Sequence, residues 1–161
     1  MLTQKIVREK FKYINGQLYT VLASGKVAKN YLGQKASGLH RPKAHVDRVA
    51  YGLYRIIFLY HHGYMPNHID HIDGDFMNNR IENLRECTNQ QNQLNKKSKP
   101  NSSSQYKGVF WNKPRKRWTA TGKFEGKKKH LGHFKVEEDA ARAYDNYMKQ
   151  FDSEFIYLNF P

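Results

Sequence analysis

The chain has 161 residues, 39% of them hydrophobic, and sets 28 lysines and arginines against 14 aspartates and glutamates, a formal net charge of +14 at pH 7. That balance points to a polyanionic partner. The single cysteine, Cys87, excludes a disulfide within the chain and a cysteine-built zinc knuckle. No run approaches the ~18 apolar residues of a membrane span.

Residues 1–12 are charged and lack the apolar segment of a signal peptide, so a soluble protein of a reducing cytoplasm is expected, with one or two small domains. Residues 11–21 alternate apolar and polar around Asn15-Gly16, the signature of a β-hairpin. Gly25, Gly33 and Gly38 mark a basic, loop-rich stretch. Residues 54–62 carry Ile56, Ile57, Phe58, Leu59 and Tyr60 and predict a buried helix ending at Gly63, with Pro66 beyond it. Val46, Val49, Ala50 and Leu53 also fit helical spacing, which leaves the start of this helix open.

From His68 to Asn92 the sequence reads HIDHIDGDFMNNRIENLRECTNQQN. Residues 68–73 fit a strand end, Asp73-Gly74-Asp75 a turn, and residues 81–87 a second short strand. Thr88 followed by Gln91 forms a capping box, which predicts a helix from Asn89 through Leu94. Asp70 and His71 then lie on one arm and Asn92 on the other. Cys87 is expected to be a small buried strand residue.

An isolated Asp-His pair in a polar loop is ordinarily a solvated turn. The Asp-Gly turn, the Asn78-Asn79-Arg80 and Glu82-Asn83-Leu84 runs and the capped helix argue for a catalytic loop instead. A calcium loop is excluded, because Asp70, Asp73 and Asp75 do not take positions 1, 3 and 5 of a loop with glycine at 6. Asn78 and Asn79 read as loop-conformation residues. His61, His62 and His68 read as surface or helix-end residues, with His68 able to reach a phosphate.

Residues 66–92 resemble the HNH, or ββα-metal, endonuclease family, in the branch found in phage and intron-encoded homing nucleases. The resemblance implies Asp70 as a metal ligand, His71 as the general base, Asn83 as the central asparagine bracing loop and base, and Asn92 as the second metal ligand. It implies one divalent ion, with magnesium expected and manganese able to substitute. One carboxylate and one amide oxygen suffice for a hard cation that keeps several waters. An imidazole with an unperturbed pKa near ~6.5 suits proton abstraction from water. Tyr54-Arg55 stands where such nucleases often carry His-Arg.

Charge along the chain fits a nucleic-acid substrate. Residues 1–68 hold 11 basic and 2 acidic side chains, 69–95 hold 2 and 5, 96–135 hold 13 and 1, and 136–161 hold 2 and 6. The acidic dip coincides with the expected metal site, and basic blocks flank it. Residues 98–104, preceded by Lys96 and Lys97, are polar and aperiodic and read as a basic linker able to track a phosphate backbone.

Beyond the linker, residues 106–111, 117–124 and 128–134 read as strands separated by turns at 112–115 and 125–127. Residues 136–148 form a helix with acidic residues in its first turn and Ala140, Ala143, Tyr144, Tyr147 and Met148 on one stripe. With the strings YKGV, RWTA, HLGHF, EEDAARAYD and LNFP, residues 105–161 resemble the APETALA-type (ethylene-response) DNA-binding domain. In that family the sheet enters the major groove. By position, Lys107, Lys123 and Lys128 occupy basic contact sites, while Phe110, Asn112, Thr121 and His130 replace the family's arginine, arginine, glutamate and tryptophan. Lys96, Lys97, Lys99, Arg115 and Arg117 complete the expected DNA-contact set. Lysines grip phosphates more than they read bases, so affinity and register are expected from this module more than specificity. Trp111, Trp118, Phe124 and Phe134 read as packing residues.

The expectation is an α+β protein: a ββα-metal HNH nuclease unit over residues 1–97 with core motif 68–96, a linker at 98–104, and a three-stranded antiparallel sheet packed on one helix at 105–161. Its function would be metal-dependent cleavage of double-stranded DNA, nicking one strand per active site, in the host cytoplasm if phage-encoded. The rivals are a non-catalytic DNA-binding protein that keeps the HNH region as a scaffold, and an RNA-binding protein, which lacks support because no aromatic-rich RNA-recognition motif is present. Oligomeric state is not legible in the sequence.

Overall fold

The computed structural model describes residues 2–33 and 41–161. Gly38, read above as a loop marker, lies outside them. The protein is of mixed α+β class and divides into two compact units, Met1–Thr88 and Asn89–Pro161.

The first unit opens with α1 (Gln4–Lys10), which the sequence reading did not anticipate. Thr3 caps it, its hydroxyl accepting from Ile6 N–H at 3.3 Å, and Val7 is fully buried. The hairpin β1 (Phe11–Ile14) and β2 (Gln17–Val21) follows, its turn formed by Asn15 and Gly16 at φ +49° and +81°, the two left-handed residues of a type I′ turn. A third strand, β3 (Val27–Tyr31), joins in the order β1-β2-β3, inside the stretch expected to be loop. β4 (Lys43–Val46) and β5 (Val49–Gly52) pair around Asp47 and Arg48, both at positive φ. The apolar residues from Val46 to Ala50 thus belong to a hairpin, and α2 (Leu53–His62) starts only after it. Gly63, at φ +79°, ends α2, its N–H donating to Leu59 O.

Ile56, Ile57, Phe58 and Leu59 of α2 are buried at the centre of the core, against Val7, Phe11, Leu18 and Val46. Ile69 and Leu84 join the same core, and they belong to β6 (His68–His71) and β7 (Leu84–Cys87), an antiparallel pair. The segment read as one strand over 81–87 is therefore a 3₁₀ turn, Ile81–Asn83, followed by β7. Asn83 N–H is taken by Arg80 O in that turn, so pairing with β6 begins only at Leu84.

The second unit begins with α3 (Asn89–Asn95), at the position the capping box predicts. β8 (Val109–Asn112), β9 (Arg117–Phe124) and β10 (Lys127–Phe134) form an antiparallel sheet in the order β10-β9-β8, and α4 (Glu137–Met148) packs on it. Glycines let the helix approach. A Cβ on Gly108 would lie 2.1 Å from the Tyr144 ring, and one on Gly122 would lie 2.3 Å from the Tyr147 ring. Ala140, Ala141, Tyr144 and Met148 of α4 are buried. Asp145 is buried as well, and its carboxylate accepts from Asn159 N–H, Asn159 Nδ2 and Phe160 N–H, which pins the Leu158-Asn159-Phe160-Pro161 end to the helix. The serines of the expected linker are bound within this unit. Ser104 is buried, its hydroxyl donating to Glu137 Oε1, and Ser103 Oγ accepts from Trp111 N–H.

Candidate active site and DNA-binding face

Asp70 and His71 end β6 as adjacent residues, and strand alternation sends them to different sides of the hairpin. Asp70 meets Arg85, its register partner on β7, with Nη2 3.0 Å and Nε 3.1 Å from Oδ2. His71 turns toward Tyr54 of α2, ring centroids 5.6 Å apart, and toward Asn79. Both side chains are buried, Asp70 5% and His71 6% exposed.

The contact between His71 Nε2 and Asn79 Oδ1, at 3.0 Å, fixes the chemistry of the imidazole. Asn79 Nδ2 donates to Met77 O at 3.2 Å, which turns its carbonyl oxygen toward the ring. Nε2 must then carry the proton, and the lone pair resides on Nδ1. Burial pushes the His71 pKa below its ordinary 6.5 and outweighs the opposing effect of the Asn79 contact, with the Arg41 charge adding to the lowering. The imidazole is neutral at pH 7.

Asn83 holds the loop that carries Asn79. Its Oδ1 accepts from Asp73 N–H at 3.1 Å, while Nδ2 donates to Asp73 Oδ1 at 2.9 Å and to Asn78 O at 2.8 Å. Asp73 takes further hydrogen bonds from Asn78 Nδ2 and Asp75 N–H. Burial works to raise the Asp73 pKa, and these hydrogen bonds overcome it, leaving the carboxyl below its ordinary value. Ile72 N–H donates to Asn83 O, which sets Asn83 just past the strand end. Asn83 thus braces the loop, and Asn79 is a side chain that meets the imidazole. The loop also leans on the N-terminal hairpin, since Ile81 N–H donates to Tyr13 Oη at 2.9 Å and Gly16 abuts the Arg80 side chain.

Asn92 lies on α3, the first element of the second unit, half-buried. Among the described residues no three His, Cys, Asp or Glu side chains gather into a metal cage. The donors expected for a metal here are one carboxylate and one amide, hard oxygen ligands of the kind a magnesium-like cation accepts while keeping its waters.

On the second unit, register defines the face of the sheet away from α4. Val109, Ala120 and Gly132 oppose one another on the helix side, so Phe110, Thr119 and His133 share the other face. Arg117, Lys123, Lys128 and His130 stand on that same face, together with Asn112 and Thr121. Lys123 and Lys128 are directly opposite each other, an arrangement that like-charge repulsion disfavours without an anion between them. A bulge at Leu131 brings His133 beside His130, ring centroids 4.6 Å apart, and Thr119 Oγ1 lies 2.9 Å from His133 Nδ1. His133 was absent from the expected DNA contacts, because the bulge that puts it on this face has no mark in an alternation pattern. Lys107 is differently placed: its ammonium donates to the carbonyls of Gln93 and Leu94 at the end of α3. Lys96, Lys97, Lys99 and Arg115 are exposed.

The model of the HNH endonuclease family matches residues 51–94, and that of the AP2 domain matches residues 104–154. The chain carries an HNH endonuclease domain followed by an AP2 domain. The HNH match holds Asp70, His71, Asn79, Asn83 and Asn92, and the AP2 match holds the whole sheet β8–β10 and α4. The chain is also similar to Protein 3.8 of Escherichia phage T7, 40% identical over 60 residues, which are 37% of this chain and 50% of that protein. The matched segment thus spans half the length of that relative. No solved structure matches the chain. Among the described residues no helix is long and apolar enough to cross a membrane.

Proposed function

We propose that the protein is a metal-dependent DNA endonuclease that hydrolyses phosphodiester bonds, nicking one strand per active site. The observation that carries this reading is the buried His71 at the end of β6, its tautomer set by Asn79, one residue from a buried carboxylate inside an HNH match. His71 takes a proton from water at Nδ1 as the water oxygen bonds to phosphorus, and the bond from phosphorus to the departing sugar oxygen breaks. General-base catalysis of this kind contributes about 10²–10⁴-fold. Asn79 and Asn83 are positioning residues, the first acting on the imidazole and the second on the loop.

Asp70 and Asn92 are proposed to hold one divalent cation, magnesium with manganese as substitute. When bound it would supply Lewis-acid stabilisation of the charge growing on the phosphate and the departing oxygen. Arg85 holds the Asp70 side chain in place from the neighbouring strand. In this reading β6, β7 and α3 constitute the ββα-metal motif, and residues 1–97 the nuclease domain.

The AP2 sheet is proposed to grip double-stranded DNA through Arg117, Lys123, Lys128, His130 and His133, with Arg115 at the neighbouring turn and Lys96, Lys97 and Lys99 ahead of it. Lys107, already engaged with carbonyls, is a weaker candidate. A phage-encoded enzyme of homing type, acting in a host cytoplasm, accords with the likeness to the T7 protein. The test is incubation of supercoiled plasmid with the full chain and magnesium: relaxed circles that vanish with chelator support the reading, and intact plasmid at saturating protein overturns it in favour of a DNA-binding protein on an HNH scaffold.

A further inference from the structure

The outward face of the β1-β2-β3 sheet has no part in the function proposed above. Lys12 lies opposite Tyr19 in the register, and Tyr19 lies opposite Tyr31. Alternation adds Ile14 and Val21 to this side, while Phe11 and Leu18 are buried on the other. The Tyr19 and Tyr31 rings meet edge to face with centroids 6.2 Å apart, both half-buried. Ile14 and Val27 are 43% and 39% exposed. An aromatic and aliphatic patch left open on a sheet marks a contact surface.

The surrounding charge selects the occupant. Lys12 and Lys29 are exposed on the strands and Lys26 precedes β3, whereas no acidic residue occurs between Glu9 and Asp47. A rim of one sign favours a polyanion, and two open tyrosine rings favour a polyanion whose every unit carries an aromatic face. Unpaired nucleotides satisfy both features, with base faces for the rings and phosphates for the ammonium groups.

We propose that this face binds single-stranded DNA, Tyr19 and Tyr31 stacking on unpaired bases and Lys12 and Lys29 contacting the flanking phosphates. The inference rests on the endonuclease reading, which makes DNA the polyanion that this chain handles.

The test is fluorescence anisotropy of the full chain, in chelator to prevent cleavage, against an oligothymidylate of about a dozen nucleotides and against a duplex. Tyr19→Leu with Tyr31→Leu is expected to weaken oligothymidylate binding about tenfold or more and to leave duplex affinity within about twofold, stacking being worth ~1–3 kcal/mol per base. Tyr31→Phe is expected to bind as wild type. Lys12→Gln, at an exposed position, is expected to lower the salt slope on the oligothymidylate by about 0.7, which keeps the test decisive if the leucine pair fails to fold. Unchanged oligothymidylate affinity in a folded leucine pair, an unchanged slope in Lys12→Gln, equal losses on duplex and single strand, or tighter binding of oligouridylate would each overturn the inference. A wild-type chain that nicks plasmid without binding the oligothymidylate sinks this inference alone. A chain that neither nicks nor binds duplex sinks the reading beneath it.

Discussion

Asn79 Oδ1 accepts the Nε2 proton of His71 across 3.0 Å, and the amide is itself held by Met77 O. Asn79→Ala removes the acceptor that selects the tautomer. Plasmid nicking at pH 7 is expected to slow about 10²-fold, within what a positioned base contributes, and stability to fall by ~1–3 kcal/mol because the buried Nε2–H loses its acceptor. Asn79→Asp keeps an oxygen toward Nε2 and is expected to retain more activity than the alanine variant. Wild-type rates in Asn79→Ala would remove Asn79 from the mechanism.

The Asp70–Arg85 pair separates stability from chemistry. The two side chains are 6% and 13% exposed, so Arg85→Leu takes a charged partner from a buried carboxylate and is expected to cost about 3 kcal/mol in urea denaturation. Arg85→Leu combined with Asp70→Leu is expected to recover most of that loss, because the buried carboxylate goes together with its cation. The double variant is nonetheless expected to be inactive, lacking the carboxylate. Activity in the double variant would show that Asp70 holds no cation.

The legibility of these two contacts in the sequence differs. Asp70 and His71 stand out as a dipeptide before an Asp-Gly turn, and the capping box places α3 correctly, since both signals are local. Asn79 does not, because its reach to His71 depends on how the loop over 72–83 folds back, and Asn78 and Asn79 look alike in a string. The helix α1 was hidden because its first turn has no acidic residue and its burial rests on one residue, Val7. β3 was hidden for a related reason: Val27-Ala28-Lys29-Asn30-Tyr31 shows no clean alternation, and its register with β2 shifts between Tyr19 and Val21. Residues 46–50 satisfy helical and strand spacing alike. The left-handed backbone at Asp47 and Arg48 settles them as a hairpin, and neither residue announces such a turn.

Asp145 anchors the C-terminal segment of the second unit with three accepted hydrogen bonds at 3% exposure. Asp145→Ala leaves Asn159 and Phe160 donors without that acceptor and is expected to destabilise the AP2 domain by about 3 kcal/mol, hydrogen bonds to charged groups being worth ~1.5–3 kcal/mol each. Guanidinium denaturation followed by tryptophan fluorescence, which reports on Trp111 and Trp118, is the measurement. A change under about 0.5 kcal/mol would contradict the anchoring role.

His61 makes stability depend on pH. Its Nε2 is buried without a hydrogen-bond partner, and burial pushes its pKa below the ordinary 6.5, with the neighbouring His62 adding to the effect. The unfolded chain therefore takes up this proton more readily than the folded one. Stability is undiminished above pH 6.5, and it falls as pH drops below 6.5 toward the folded-state value. His71 and His133 are shifted the same way and add to the fall. His61→Phe, which keeps a ring against Tyr13, is expected to lose less melting temperature between pH 7 and pH 5 than the wild type. Parallel curves for the two proteins would count against this origin.

The central claim, that His71 is the base of a DNA-cutting site, is tested most directly by comparing His71→Ala with the wild-type chain on one supercoiled plasmid at saturating protein and magnesium, with duplex affinity measured in chelator. The account predicts that the alanine variant binds duplex within about twofold of wild type and nicks at least about 10²-fold more slowly. Nicking at the wild-type rate, or a loss of binding in step with the loss of cutting, would contradict it.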